Sequence, residues 1–221
     1  MLETERLRLI PVSLETLELL DAQQYARAGA ALGVTIPDGW PHEPEAIDGI
    51  PWHLGALRAD PSAFVWRVRL IVFRAENCVI GSINMKGPPD VDGMVEIGWG
   101  VRAAYRMRGI ATEATRCVLA WAIEQPQVQG VIATIPAENQ GSKRVAARVG
   151  MVPTEEIRRG LPVWELHRAY AKDGILGGRR TTEFSEAAPT TQGMMKNSLR
   201  GLRWNELLGC CFRHTLLGYT R

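Results

Sequence analysis

The stretch from residue 94 to residue 135 constrains the fold of this chain more than any other part of its sequence. MVEIGWGV at 94–101 predicts a strand, and VQGVIATI at 128–135 predicts another. Between them, apolar residues fall at helical spacing from beyond Arg106 to about Ile123, and a Gln-Pro pair then ends the helix. This order requires a sheet on which at least one helix packs.

Hairpins and further helices surround this unit. FVWRVRLIVF at 64–73 and CVIGSINM at 78–85 predict two strands joined by a turn. The other predicted elements are a strand at 6–12, a helix capped by Ser13, a helix from about Gln140 to Val149, and short strands at 152–157 and 163–167. Hairpins combined with a strand, helix and strand imply an α+β fold, an α/β three-layer arrangement in which helices flank a mixed central sheet.

Two regions depart from these regular patterns. Residues 29–61 are rich in Gly, Pro, Trp and His and contain only short helical runs, such as Trp52–Arg58, so they predict helix and loop over a pocket. Gly98 and Gly100 interrupt the strand at 94–101, where a strand interior normally avoids glycine. They predict either a β-bulge or the close approach of another group to this backbone.

Composition and cysteine spacing narrow the class of protein. With 221 residues, 46% of them apolar, the chain should bury roughly 70% of its unfolded surface without disulfides or a structural metal. Cys78, Cys117, Cys210 and Cys211 lack the spacing of a metal site, and the adjacent pair is a poor disulfide. The N-terminus lacks a signal-peptide pattern, and no run of 18 apolar residues occurs. We therefore expect a cytoplasmic protein without a metal and without a membrane span.

Charge is unevenly distributed along the chain. The net charge is +2, and residues 172–221 alone carry +4. The nearly neutral body argues against nucleic-acid binding as the main function, because that binding needs a basic face. We expect one domain at 1–170 and a tail at 171–221 that is flexible or weakly helical, with weak amphipathic character at 194–208. The tail could serve as a docking arm for RNA, the ribosome or a partner protein.

The turn at residues 106–111, RMRGIA, lies between a predicted strand and a predicted helix. The amides that open a helix are unpaired and carry the positive end of its dipole, so a glycine-bearing turn here can bind an anionic group such as phosphate. Arg106 and Arg108 would add positive charge. The alternative is that Gly109 only permits a tight turn beside two solvated arginines.

Three further segments accompany this turn: TERLRL at 4–9, EIGWGV at 96–101 and PAENQGS at 136–142. Together they resemble the GNAT N-acetyltransferases, in particular the branch related to bacterial ribosomal-protein N-terminal acetyltransferases. The family motif, Arg/Gln-x-x-Gly-x-Gly/Ala, stands here as Arg106, Gly109 and Ala111. The resemblance runs from about Leu2 to Arg168 and excludes the tail.

The resemblance implies acetyl-CoA as co-substrate, bound where two neighbouring parallel strands splay apart. The pantetheine arm would pair with the backbone of Trp99, Gly100 and Val101 like an added strand. Asn139 would contact the pantetheine, although the same residue type is also a preferred helix N-cap, and Ser142 would lie near the sulfur. The backbone of Arg106, Met107, Arg108, Gly109, Ile110 and Ala111 would hold the pyrophosphate, with the hydroxyl of Thr112 possible as a further ligand.

The implied chemistry is direct transfer of the acetyl group to a primary amine, which needs alignment, proton removal, an oxyanion donor and thiolate release. Glu96 is the first candidate for the general base, and the alternative is an exposed strand carboxylate paired with a nearby arginine. His53 is the second candidate, and the alternative is a solvated histidine. A backbone N–H near Val101 is the expected oxyanion donor. The family often carries a tyrosine acid where this chain has Ala146, so Ser142 or water would assist the thiolate. Cys78 and Cys117 have no evident His partner, so we expect neither to be a nucleophile.

The acceptor amine belongs to a protein N-terminus or to a small molecule, and the sequence leaves both open. Trp40, Trp52, His42 and His53, with Trp99 on the cofactor side, could line its pocket, although core packing is an alternative for the tryptophans. Acidic residues in this region that could attract a cation are Asp38, Glu43, Glu45 and Asp48. The competing function is an acyl-CoA-binding sensor or inactive homologue, and either a monomer or a homodimer fits the sequence.

Overall fold

The computed structural model describes residues 1–41 and 44–171. His42, Glu43 and residues 172–221 of the predicted tail, with Cys210 and Cys211, lie outside the described residues. The strands are β1 Leu2–Glu3, β2 Leu7–Pro11, β3 Val68–Phe73, β4 Cys78–Met85, β5 Met94–Val101, β6 Gly130–Thr134, β7 Val152–Arg158 and β8 Leu161–His167. The helices are α1 Leu14–Asp21, α2 Tyr25–Leu32, α3 Pro44–Ala59, α4 Ile110–Glu124, α5 Gln140–Arg148 and a short α6 Arg168–Tyr170.

All eight strands form one mixed sheet in the order β1-β2-β3-β4-β5-β6-β8-β7. Strands β1 to β5 pair antiparallel, β5 and β6 pair parallel, and β8 pairs antiparallel with both β6 and β7. The crossover through α4 produces the one parallel pair among the described strands. The predicted mixed sheet flanked by helices is therefore confirmed.

Apolar residues form a separate core on each face of the sheet. On one face, side chains of α4 such as Val118 and Leu119 pack against Ile97 and Val131 from the central strands. On the other face, α1 and α3 cover β3 and β4, with Leu17 and Leu57 fully buried. Each fully buried aliphatic side chain of this kind contributes about 1.5–3 kcal/mol to folding, so both layers are fixed by packing.

Helix α3 is longer than the sequence predicts. Gly49, Pro51 and Gly55 indicate breaks, yet one helix of 16 residues runs through them. Its buried residues Ile50, Leu54 and Leu57 follow helical spacing and pack into the core. Burial of this stripe outweighs the weak local propensity, as tertiary packing commonly does. Helix α2 was likewise not predicted.

The start of the predicted strand at 64–73 is also wrong. Residues Pro61–Trp66 form a 3₁₀ helix, and β3 begins only at Val68. The carboxylate of Asp60 caps this turn by accepting a hydrogen bond from the amide of Ser62 at 3.0 Å. A proline just after a capping aspartate is a helix-start signal, which the β-rich composition of the segment obscured.

The glycines of β5 do not form a bulge. The register between β4 and β5 runs from Ile97 to Val101 without a shift. Close packing requires glycine on the neighbouring strand instead, because a Cβ atom on Gly81 of β4 would lie 2.2 Å from the carbonyl oxygen of Gly100. Among the residues that the structure describes, a Cβ on Gly98 would meet no atom within 4 Å, so that glycine leaves space open within this part of the chain.

Candidate active site

The two parallel strands separate after a short pairing. Cα partners of β5 and β6 run only from Met94 opposite Gly130 to Glu96 opposite Ile132. Strand β5 continues to Val101 with β4 on its other side. Within the described residues, the second half of β5 therefore has a β4 partner along one edge and a gap along the other.

Backbone groups of two residues point into this gap. The carbonyl of Glu96 accepts from the amide of Lys86 at 2.9 Å, and the amide of Arg102 donates to the carbonyl of Ile80 at 2.9 Å, so even-numbered residues of β5 face β4. Successive residues of a strand direct their N–H and C=O groups to opposite edges. Trp99 and Val101 therefore direct these groups into the gap, whereas Gly100 faces β4.

The turn that follows β5 has the geometry of an anion socket. Met107 and Gly109 adopt left-handed backbone angles, with φ values of 61° and 77°. Gly109 is the N-cap of α4 and supplies no capping side chain. The amides of the next three residues, Ile110, Ala111 and Thr112, consequently have no acceptor within their own helix, and the positive end of the helix dipole lies there.

Arg106 and Arg108 differ in what they contact. The Nε of Arg106 donates to the carbonyl oxygen of Val101 at 2.8 Å, which joins the turn to the end of β5. The guanidinium of Arg108 lies over the ring of Tyr105, 5.4 Å from its centroid. Met107 is 90% exposed. Arg106 thus fixes the turn, while Arg108 and Met107 lie on its outer surface.

Asn139 and Ser142 meet at the start of α5. The side chain of Asn139 caps this helix, and its Oδ1 accepts a hydrogen bond from the amide of Ser142 at 2.9 Å. The predicted N-cap role is confirmed. Ala146, one turn further along, is fully buried in the core. Alanine carries no ionisable group, so this position does not supply an acid to the gap.

Glu96 is held by three donors from different parts of the chain. Its Oε1 accepts from Lys86 Nζ at 2.6 Å, Thr134 Oγ1 at 2.9 Å and Arg159 Nη2 at 2.5 Å. Burial alone would raise the pKa of this carboxyl group, but the hydrogen bonds from Arg159, Lys86 and Thr134 outweigh burial and lower the pKa below its usual value. Glu96 is therefore a carboxylate at neutral pH and a weak proton acceptor.

The alternative that Glu96 pairs with an arginine agrees with the bond from Arg159, but the identities of the three donors were not predicted. Lys86 follows β4, Thr134 ends β6, and Arg159 lies in the turn between β7 and β8. No local pattern marks them, because they converge only through strand order. Only the mixed order of the sheet, with the β7–β8 hairpin returning beside β6, could have suggested that they share one site.

His53 lies in a pocket on the sheet face covered by α1 and α3. The cavity in this pocket is small, about 10 Å³, which is roughly the room that one water molecule needs. It is lined by Leu17, Trp40, Pro41, Ile50, His53, Val68, Ser82 and Asn84. His53 is 5% exposed, and its Nδ1 has no hydrogen-bond partner among the described residues. Burial, together with the charges of Arg67 and Lys86, lowers the pKa of His53 to about 4, so the ring is neutral at pH 7.

The pocket adjoins the glycine-bearing part of β5. Asn84 pairs with Gly98 and Ser82 with Gly100, and in antiparallel strands such partners share a face. The buried Oδ1 of Asn84 also has no partner in the described part of the chain. The pocket therefore contains two unpaired polar atoms on its His53 and Asn84 side chains, next to open space above Gly98.

The predicted aromatic lining is only partly brought together. Trp40 and His53 line the pocket, but Trp52 is 50% exposed and lies under the guanidinium of Arg67. The side chain of Trp99 packs against the core on the α4 face, where its indole Nε1 is buried without a partner among the described residues. Asp38 is exposed, and the side chains of Glu45 and Asp48 are, like His42 and Glu43, outside what the structure describes.

Cys78 is a free thiol, and Cys117 is buried. Across residues 1–41 and 44–171, no cluster of three or more His, Cys, Asp or Glu side chains could hold a metal ion. No helix in the same part of the chain has the length and apolar character that crossing a membrane requires. The site is thus composed of main-chain groups along the gap and polar side chains in the neighbouring pocket.

Comparison with known proteins agrees with this geometry. The family model of the acetyltransferase (GNAT) domain matches residues 6–152. The chain is 26% identical over 152 residues to the uncharacterized N-acetyltransferase YjdG of Bacillus subtilis (strain 168), covering 69% of this chain and 89% of that protein. Among solved structures, an acetyltransferase from Agrobacterium tumefaciens shares the fold with a TM-score of 0.51 and 21% identity, covering 74% of this chain and 92% of that one. RimL, a ribosomal L7/L12 alpha-N-protein acetyltransferase in complex with coenzyme A, shares the fold with a TM-score of 0.52 and 14% identity. The match covers 76% of this chain and 98% of that one.

Proposed function

This chain belongs to the GNAT acetyltransferase family and is an acetyltransferase, and we propose that it transfers the acetyl group of acetyl-CoA directly to a primary amine. The acceptor is a small-molecule amine or a protein N-terminus. The domain that carries the reaction spans residues 1–170. The free thiol of Cys78 fits a reducing compartment, so we place the enzyme in the cytoplasm.

The observation that carries the proposal is the continuity of two binding features. Main-chain groups of Trp99 and Val101 face the gap, and the helix-opening turn at 106–112 follows directly in the chain. The bond from Arg106 to the carbonyl of Val101 joins the two. An extended amide chain ending in a diphosphate needs strand-like partners at one end and unpaired helix amides at the other, and acetyl-CoA has this chemistry.

In the proposed reaction, the acetyl thioester lies against the end of β5. The amide of Val101 donates a hydrogen bond to the thioester oxygen, on which negative charge develops as the amine attacks. The acceptor approaches over Gly98, where no side chain fills the space. No covalent bond to the protein forms, so this chain's part is to align the two substrates and to move a proton.

Two side chains are candidates to accept the amine's proton, and both are weak bases. Glu96 is ionised, but its three donors stabilise the charged form. His53 is neutral with an unpaired Nδ1, but its pKa is about 4. A weak base suffices when an ordered water carries the proton away and the amine enters partly deprotonated. The thiolate leaves with a proton from water or with help from the Ser142 hydroxyl.

The acceptor pocket supports an amine with an apolar neighbour. Leu17, Trp40 and Ile50 form apolar walls, while His53 and Asn84 offer hydrogen-bond acceptors. An ammonium or amine N–H can satisfy both unpaired atoms, which would otherwise cost free energy in a buried site. Because RimL is named for acting on a ribosomal protein's α-amino group, protein N-termini belong in the first set of substrates to test.

The proposal is tested by titrating the full chain with acetyl-CoA and with CoA in a calorimeter, followed by a screen of amines with detection of released thiol. We expect one-to-one binding and thiol release that requires both an amine and acetyl-CoA. Binding without thiol release for any peptide N-terminus, polyamine or amino acid would contradict the transferase proposal. Absence of binding would contradict the assignment of the gap to acetyl-CoA.

A further inference from the structure

Three side chains tie the N-terminal segment to the first turn of α4, and the proposed reaction leaves them without a role. They are Thr4, Arg6 and Glu113. The carboxylate of Glu113 accepts from Thr4 Oγ1 at 2.5 Å and from Arg6 Nε at 2.7 Å. Its Oε1 also accepts from the amide of Arg6 at 3.3 Å. Thr4 and Arg6 belong to the TERLRL segment that first indicated the family.

Arg6 also contacts the candidate diphosphate turn itself. Its Nη1 donates to the carbonyl oxygen of Arg108 at 3.0 Å. Its Nη2 lies 3.6 Å from the point that a Cβ of Gly109 would occupy. The guanidinium is therefore adjacent to the residue that opens α4, and one side chain bridges the turn and Glu113.

The charge of Glu113 makes this bridge significant. A carboxylate in the first turn of a helix is favourable for the helix dipole. The same carboxylate is unfavourable beside a bound diphosphate, because like charges repel at short range in a partly desolvated site. The Glu113 side chain is 20% exposed, so water screens it incompletely, and Arg6 Nη2 lies 2.5 Å from its Oε2. Arg6 neutralises the one carboxylate that this turn of α4 carries.

We propose that Arg6 is a positioning residue for the diphosphate of acetyl-CoA, which acts by cancelling the charge of Glu113 and holding the carbonyl of Arg108. This inference rests on the proposed function, which places the diphosphate at residues 106–112. Arg6 does not need to touch the ligand. Its effect is to keep the first turn of α4 receptive to an anion.

The test measures CoA affinity by calorimetry at low and high salt for Arg6→Gln, Glu113→Gln and the double variant, all in the full chain. Arg6→Gln leaves Glu113 uncompensated, so affinity falls about tenfold at low salt and by less at high salt, where the repulsion is screened. Glu113→Gln removes the carboxylate and leaves the charge of Arg6 without its acidic partner Glu113. CoA should therefore bind at least as tightly as to the unaltered protein. The double variant recovers most of the affinity that Arg6→Gln loses.

Arg74→Gln is the matched control. Arg74 Nη1 donates to the carbonyl of Thr4 at 2.9 Å and so anchors the same segment without contacting the turn. Its CoA affinity should match that of the unaltered protein. Thermal unfolding of every variant separates a loss of folding from a loss of binding. If Arg6→Gln does not fold, Glu113→Gln and Arg6→Lys still test the inference. Both variants keep a cation at position 6, so both should bind CoA with an affinity within about threefold of that of the unaltered protein.

The outcomes of this test are distinct. If the unaltered protein does not bind CoA, the proposed function fails. If the unaltered protein binds but Glu113→Gln weakens binding more than threefold, or the double variant is no better than Arg6→Gln, charge cancellation is wrong and the contacts serve the fold alone. A penalty for Arg6→Gln that salt does not change would overturn the inference in the same way.

Discussion

The gap beside β5 and the pocket around His53 lie next to each other but are built in different ways. The gap offers main-chain groups of Trp99 and Val101 and the amides that open α4. The pocket offers side chains from α1, α3, β3 and β4, including His53 and Asn84, whose Nδ1 and Oδ1 atoms have no hydrogen-bond partner within residues 1–41 and 44–171. In the function that we propose, the backbone of the gap binds the co-substrate and the side chains of the pocket select the acceptor.

The largest expected effect concerns the pocket and is a pH dependence of folding. His53 has a pKa of about 4 when folded, against about 6.5 when unfolded. The unfolded chain therefore binds a proton that the folded chain does not as pH falls from about 6.5 to 4, and up to about 3 kcal/mol of stability is lost over that range. His53→Leu should remove most of this dependence. Urea unfolding at pH 7 and pH 5 measures the free energy of unfolding of both proteins. An equal loss of stability between the two pH values in both proteins would contradict the prediction.

The next largest effect concerns the gap and its turn. Gly109→Asp places a carboxylate at the opening of α4 and strains a backbone with φ of 77°, so CoA affinity should fall about ten- to hundredfold. Gly33→Asp is the control, because Gly33 has φ of 66° and open space around its Cβ position. If the two variants bind CoA equally well, the turn before α4 does not bind the diphosphate of CoA.

An intermediate effect separates the two regions. Glu96→Gln removes a charge from the pocket face of β5 and leaves the gap intact, so kcat should fall about fivefold while CoA affinity changes little. Measuring both quantities across pH 6 to 9 tests the division. A loss of CoA affinity with unchanged kcat would place Glu96 on the co-substrate side instead.

The smallest expected effect tests whether Gly98 lies on the acceptor's path rather than in the gap. Gly98→Ala adds one methyl group in open space above β5, so stability should change by about 0.5 kcal/mol or less. The KM for the amine should rise about two- to threefold, because the acceptor passes over this residue, whereas CoA affinity stays the same. An unchanged amine KM would mean that the acceptor enters by another route.

The same contrast explains what the sequence could predict. The strands at 78–85 and 94–101 and the helix-opening turn at 106–111 were predicted because local signals, alternation and a glycine turn, determine them. Helix α3 was not, since Pro51 and two glycines conceal a stripe that only burial reveals. The donors Lys86, Thr134 and Arg159 converge on Glu96 through strand order, which no local pattern contains. The roles of Glu96, His53, Asn139 and Ser142 in the reaction stay predictions.

Recognition by main-chain groups has a consequence for how such a site diverges. The N–H and C=O groups of Trp99 and Val101 are present whichever side chains those positions carry, so substitutions along β5 that preserve the strand leave them in place. Selection on co-substrate binding therefore constrains backbone shape and a few glycines rather than residue identity. The pocket presents side chains instead of main-chain groups. A single substitution at His53 or Asn84 therefore changes which groups can hydrogen-bond there. New acceptor specificities can accordingly arise on this scaffold without rebuilding the site that we propose for the acetyl donor.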